Sequence, residues 1–268
     1  MTANVSRRHP VPDGAITWEP SERWVRGRAG GETIVDSRRP ILVWQPAQAV
    51  PLYAFPASDV RGDLLREATR PAGHPHAGAA ASYDLVLGTE VREAAAWRFA
   101  AAELSGYIAF EWFGRTGRGL DHWFEEEEEI FVHPRDPYKR VDAIRSSRHV
   151  RVEIDGTLVA DSHRPTLLFE TRLPTRYYLP REDVRLDLLV ATDLRTGCPY
   201  KGTAEYWSLR GDGPAPPDIA WSYADPIPAV GLIAGQIAFY NEVVDITLDG
   251  QRLERPETPF TKQLAGRR

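Results

Sequence analysis

The sequence predicts a mainly β protein made of two tandem copies of one compact β domain, each with one or two short helices. Three observations predict it: an internal repeat, hairpin patterns inside that repeat, and a chain of 268 residues with 22 prolines and 21 glycines. At roughly 150 residues per domain, that length accommodates about two domains. Dense proline and glycine favour short strands and ordered loops over long helices.

The repeat is read by aligning the chain with itself. At a constant offset of 125, Ser21 to Gln45 matches Ser146 to Glu170 at ten of 25 positions, among them Asp36/Asp161, Arg39/Arg164 and Pro40/Pro165. After a one-residue slip, PASDVRGDLL from Pro56 matches PREDVRLDLL from Pro180, and GYIAF from Gly106 then matches GQIAF from Gly235. The order is preserved, so the domains are expected at 1–142 and 143–268, the first copy being the degenerate one. Fused copies often replace a two-fold homodimer, so an intramolecular pseudo-dimer is expected.

Each element has a local reason. Val150, Val152 and Ile154 alternate with polar residues before Asp155-Gly156, a pair that supplies the positive φ angles of a tight hairpin. Val244, Ile246 and Leu248 before Asp249-Gly250 repeat that pattern. Pro180 followed by Arg181, Glu182 and Asp183 reads as a helix start running to Leu189, with proline in the first turn and acids at the positive end of the dipole. Glu93 to Glu103 has high helix propensity but aligns near a loop of the other copy, so both readings stand.

Composition limits the function classes. A net charge of −5 with scattered basic residues gives no general attraction to phosphate backbones, so nucleic acid is not an expected partner. No stretch reaches the ~20 apolar residues that cross a bilayer, and Met1 to Pro20 lacks the apolar run of a signal peptide; a cytoplasmic protein with no membrane partner is expected. A single cysteine, Cys198, cannot form an intramolecular disulfide or a multi-thiolate zinc site.

The segments RYYLPREDVRLDLL (Arg176 to Leu189), TGCPYKGTAEYWS (Thr196 to Ser208), IAWSYADPIP (Ile219 to Pro228) and IAGQIAFYNEVVD (Ile233 to Asp245) occur in one order. Together they resemble domain-of-unknown-function family 427, and FVHPRDPYKRVDAI (Phe131 to Ile144) resembles the joint of its two-copy members. The resemblance implies a mostly β fold and no established general activity. The family is sometimes labelled a nucleotidyltransferase, but Gly211-Asp212-Gly213 runs into Pro214, Ala215 and Pro216, which supplies no strand of paired carboxylates for magnesium and phosphates.

The two copies offer an internal comparison. Asp161, Arg164, Asp183, Arg185 and Asp187 recur in both copies and are expected to make ion pairs or cap the short helix. His163, Cys198, Tyr200, Lys201, Glu205, Trp207, Trp221 and Tyr223 are read as specific to the second copy, and so as site candidates. Cys198 is a nucleophile candidate if a nearby cation favours its thiolate, and an inert buried thiol otherwise. Lys201 stands out in a chain whose other basic residues, apart from Lys139 and Lys262, are arginine. Its alternatives are ligand contact and an ordinary exposed turn residue. His163 and Glu205 are candidate bases, with a surface histidine as the plainer alternative. Tyr178, Tyr200, Tyr206, Trp207, Trp221, Tyr223 and Tyr240, with Arg164, are candidates for a ligand-binding wall, since tyrosine combines a stacking face with a hydroxyl. A hydrogen-bonded core explains many of the aromatics equally well.

Three further tracts are assigned no site. Glu125 to Glu129 reads as a solvated acidic face. His74-Pro75-His76 has no third ligand at usable spacing. Gly114 to Gly119 reads as a surface loop. The expectation is a pocket in the second domain for a small polar organic molecule, without metal or cofactor. Covalent or acid/base catalysis, a non-catalytic binding or scaffold module, and nucleotidyl transfer remain as alternatives.

Overall fold

A computed structural model describes residues 16–46, 48, 50–68, 79–112, 119–211 and 215–265. The chain divides into two compact units, Met1–Tyr138 and Lys139–Arg268. The division precedes Asp142 because Val141–Arg145 already pair with Thr166–Glu170 inside the second unit.

The first unit holds strands β1 (Thr17–Pro20), β2 (Val25–Ala29), β3 (Glu32–Ser37), β4 (Ile41–Trp44), β5 (Leu52–Pro56) and β6 (Leu65–Glu67), then β7 (Ala79–Leu87), β8 (Glu90–Phe99), β9 (Tyr107–Phe110), β10 (His122–Glu125) and β11 (Glu128–Ile130). They form an antiparallel seven-stranded sheet in the order β1-β4-β5-β9-β8-β7-β6 and a four-stranded sheet in the order β11-β10-β2-β3.

The second unit holds β12 (Val141–Arg145), β13 (Val150–Ile154), β14 (Thr157–Ser162), β15 (Thr166–Glu170), β16 (Arg176–Tyr178) and β17 (Leu189–Cys198), then β18 (Gly202–Leu209), β19 (Ala220–Tyr223), β20 (Ile237–Phe239), β21 (Asp245–Leu248), β22 (Gln251–Arg252) and helix α1 (Pro259–Ala265). Its sheets run β12-β15-β16, β17-β18-β19-β20 and β14-β13-β21-β22. Leu179 and Ile237 exchange backbone hydrogen bonds of 2.8 and 2.9 Å, which joins β16 to β20. The order β12-β15-β16-β20-β19-β18-β17 thus repeats that of the first unit's larger sheet.

The hairpins form where the alternation predicts. Val150, Val152 and Ile154 are buried while Arg151 and Glu153 are half-exposed, and Asp155 and Gly156 turn the chain with φ of 48° and 77°. Asp249 and Gly250 do the same at 50° and 83°. Val150, Val152, Ile246 and Leu248 pack against Leu167, Leu179, Ala220 and Phe239 of the larger sheet, so each unit is a sandwich around one apolar layer. Each fully buried aliphatic side chain there contributes about 1.5–3 kcal/mol. The larger sheet keeps a second face, lined by Ile41, Val43, Leu52, Ala54, Trp97 and Phe99 in the first unit and by Leu168, Tyr178, Tyr206, Trp221 and Tyr223 in the second.

Several local expectations are corrected. Glu93 to Glu103 is not a helix: Glu90–Phe99 is strand β8, paired on both sides by β7 and β9. Ala94 to Trp97 are all buried there, and this packing overrides the helix propensity of alanine. Glu182 to Leu189 forms two single 3₁₀ turns, Arg181–Asp183 and Leu186–Leu188, with Pro180 just outside the first and no side-chain cap. The helix is interrupted because Val184 is extended and bridges Ala160. The run Glu125 to Glu129 forms a hairpin whose Glu126, Glu127 and Glu128 are exposed to solvent, as expected, while Glu125 is the exception. Glu125 is buried, accepting hydrogen bonds from Tyr53 Oη at 3.0 Å and Arg23 at 2.9 Å, and Glu126 makes the turn with φ of 52°. His74-Pro75-His76, residues 114–118 and residues 212–214 lie outside the described residues. Among the described residues no helix is long and apolar enough to cross a membrane.

Candidate functional site

The second face of the larger sheet in the second unit carries most of the candidate residues. Strand alternation decides which ones, because successive side chains point to opposite sides. Tyr206 pairs with Trp221 and Ala204 with Tyr223 across β18 and β19. Thr196 pairs with Ala204 and Cys198 with Gly202 across β17 and β18, which puts Thr196 and Cys198 on the same side. The Thr196 and Tyr206 hydroxyls are 2.7 Å apart. On β16, Tyr178 accepts a 3.0 Å hydrogen bond from Trp221 Nε1, with the two rings edge to face.

Glu170, at the end of β15, anchors one side of this face. Its carboxylate accepts a hydrogen bond from Lys201 Nζ at 2.5 Å and pairs with Lys139 Nζ at 3.0 Å. Burial pushes the Glu170 carboxyl up, but the two lysines outweigh it and hold the group below its ordinary range. Lys201 is 9% exposed, so it is not an ordinary surface turn residue. Its hairpin closes tightly: Gly202 has φ of +106°, and a Cβ there would meet Asp225 O at 3.1 Å. Ile227 N donates to Lys201 O at 3.1 Å, fixing the lysine's backbone.

Arg176 anchors the other side. It makes a bidentate pair with Glu242 at 2.7 and 2.6 Å and donates to Asn241 Oδ1 at 3.2 Å. Its guanidinium lies 5.6–5.8 Å from the ring centroids of Trp221, Tyr240 and Phe260. Thr258, just before α1, donates to Glu242 Oε1 at 2.7 Å, which ties the C-terminal segment to the sheet.

Between these anchors stand tyrosine hydroxyls that resist ionisation. Burial pushes Tyr178 up despite the hydrogen bond from Trp221. Burial pushes Tyr223 up further, aided by Tyr178, Cys198, Tyr206 and Glu170 around it. Both act as neutral hydroxyls at physiological pH. Tyr223 is 5% exposed, and its hydroxyl makes no hydrogen bond among the described residues.

The structure thus gathers Tyr178, Tyr206, Trp221, Tyr223, Tyr240, Cys198 and Lys201 on or beside one face, with Cys198 partly exposed. Tyr200 sits in the same hairpin turn as Lys201. Other candidates lie elsewhere. Glu205 alternates to the opposite side of β18, 3.9 Å from Arg195. Trp207 belongs to the sandwich core, beneath Arg181 at 5.4 Å. Arg164 pairs with Glu182 and Asp183 at 2.9 and 3.1 Å, as Arg39 pairs with Asp59 at 2.8 Å in the first unit. Arg185 and Asp187 likewise pair as Arg61 and Asp63 do, all at 2.7 Å. The shared charges are therefore ion pairs, not helix caps. His163 follows β14 in the other sheet, its ring 3.9 Å from that of His149.

Trp221 is not specific to the second copy. It pairs with Ala238 as Trp97 pairs with Ala109, so the two tryptophans are equivalent. Glu170, Arg176 and Glu242 escaped the sequence reading. The signal for Glu170 lay in the repeat itself, where it aligns with Gln45.

Compared with known proteins, the chain matches the family described as a domain of unknown function (DUF427) twice, over residues 17–123 and 142–250. No curated protein matches it.

Proposed function

Given that the chain belongs to the DUF427 family, with one copy of the domain in each unit, we propose that the second unit binds a small polar organic molecule on the Tyr178, Tyr206 and Tyr223 face of its larger sheet. The observation that carries this is the Tyr223 hydroxyl: it stands among polar neighbours on an otherwise buried ring, yet makes no hydrogen bond among the described residues. A hydroxyl without a protein partner keeps its donor and acceptor capacity open to a bound molecule. The neutral tyrosines offer both donors and acceptors, and the aromatic rings offer stacking area. Lys201 acts mainly through Glu170, shaping the end of the site. Partly exposed Cys198 on the same face keeps covalent chemistry within this reading, but Glu205 points away and cannot serve it as a base from the other side of β18.

The test is ligand-observed NMR with a set of polar fragments (carboxylates, sugars, heteroaromatic bases, and ATP or GTP with magnesium) against the wild type and the Tyr206→Phe/Tyr223→Phe variant. Fragments that bind the wild type, lose at least tenfold in affinity in the variant and slow iodoacetamide alkylation of Cys198 support the reading. Binding indifferent to both hydroxyls, or none at millimolar fragment, overturns it. Binding only of magnesium nucleotide would favour nucleotidyl transfer instead.

A further inference from the structure

Away from that face, the second unit brings together His149, Asp161 and His163. Their ligand atoms all lie within 4.8 Å of one another. His149 Nε2 is 2.6 Å from Asp161 Oδ1, and the two imidazoles stack with centroids 3.9 Å apart and planes 14° from parallel. Backbone geometry holds the first histidine, because His149 N donates to Asp249 Oδ1 at 2.9 Å. Asp161 Oδ2 lies 3.5 Å from Arg151 Nε.

The first unit shows what these positions do without metal chemistry. Trp24, Asp36 and Arg38 align with His149, Asp161 and His163. There Trp24 Nε1 donates to Asp36 Oδ1 at 2.7 Å, and the Arg38 guanidinium lies 4.9 Å from the centroid of the Trp24 ring. The arrangement is the same: a ring N–H facing the aspartate and a flat group beside the ring. An indole N–H and a guanidinium have no lone pair to give a metal, whereas neutral imidazole and carboxylate are both metal ligands. The second copy has replaced both non-ligands with ligands around an aspartate common to both.

We propose that His149, Asp161 and His163 form a binding site for one divalent transition-metal ion of the zinc, nickel or copper class, which accept two imidazoles and a carboxylate. Tetrahedral ligation sets donor atoms about 3.3 Å apart. Reaching it requires His149 Nε2 and Asp161 Oδ1 to separate slightly and the exposed His163 ring to turn. With three protein ligands, a coordination position stays open to water or an exogenous ligand. The two histidines are 14 residues apart in the sequence and on different elements, so their spacing by itself does not mark them as a pair.

The experiment is calorimetric titration of ZnCl₂ and NiCl₂ into the full-length, untagged protein. The comparison is with His149→Trp/His163→Arg, which installs the residues of the first unit, and with His163→Ala, whose side chain is exposed. We expect one equivalent bound by the wild type and at least tenfold weaker binding in both variants, with thermal unfolding of the metal-free proteins unchanged. Cu²⁺ electron paramagnetic resonance should show two coupled nitrogens in the wild type and fewer in His163→Ala. Equal binding by wild type and both variants, as sites elsewhere such as His74 and His76 would give, overturns the proposal. So does absence of binding at 100-fold molar excess of metal.

Discussion

The second face of the larger sheet is built differently in the two units, although the strand order beneath it is the same. Register identifies the equivalent positions: Ile41 and Thr166, Leu52 and Arg176, Ala54 and Tyr178, Ser82 and Tyr206. By adjacency, Phe99 corresponds to Tyr223. One unit fills the face with aliphatic and aromatic carbon around Trp97. Its counterpart keeps the tryptophan and surrounds it with hydroxyls, an arginine and a lysine-clamped glutamate. A sandwich needs only one sealed layer, so the outer face is free to diverge once the inner one is secure. Replacing carbon with polar groups costs stability unless each finds a partner. The partners are present for Arg176 and Glu170, and this difference can be probed position by position.

The largest effect is expected at Arg176. In Arg176→Leu, which installs the residue of the first unit, Glu242 remains with a side chain 0% exposed and no guanidinium. Urea denaturation should show a loss of about 3–5 kcal/mol. Arg176→Leu/Glu242→Gln should recover part of it, since the uncompensated charge is gone; no recovery would mean that packing, not charge, dominates there.

Lys201→Met should cost less, about 2 kcal/mol, because Lys139 still faces Glu170. The acid dependence follows from the sign of the shift. Glu170 and Glu242 are both held below their ordinary value of 4.5, so each adds stability above that pH and loses it as pH falls through the lower folded value. Glu170→Gln, the residue of the first unit, should therefore flatten the loss of stability below about pH 4.5. An unchanged slope would assign the acid response to the surface aspartates.

Smallest should be Tyr223→Phe. Its hydroxyl makes no hydrogen bond among the described residues, so stability should change by about 0.5 kcal/mol or less. A loss above about 1.5 kcal/mol would mean that the hydroxyl is structurally tied, and would weaken the case that it is held for a ligand.

The legibility of these features from sequence depended on how local their causes are. The duplication, the hairpins at Asp155-Gly156 and Asp249-Gly250, and the mainly β class follow from neighbours in the chain or from direct repetition. The strand at Glu90–Phe99 was obscured because its alanines carry helix propensity, while burial between β7 and β9 is a long-range effect. Among the site residues, Lys201, Cys198 and the tyrosines stood out by type. Glu170, Arg176 and Glu242 did not, because an isolated charge in a sequence gives no sign of burial.

Sequence alone therefore determined the two-copy architecture, the turns and the membership of the tyrosine-rich set, since each rests on periodicity, positive-φ chemistry or direct comparison of the copies. Tertiary structure decided the rest: which side of β18 each residue faces, that Glu205 and Trp207 leave the Tyr206 face, that Lys201 clamps a buried carboxylate, and that His149 and His163 stack beside Asp161. Those outcomes depend on pairing register and on strands brought together from distant parts of the chain, and a one-residue change in register would turn every side chain to the opposite face.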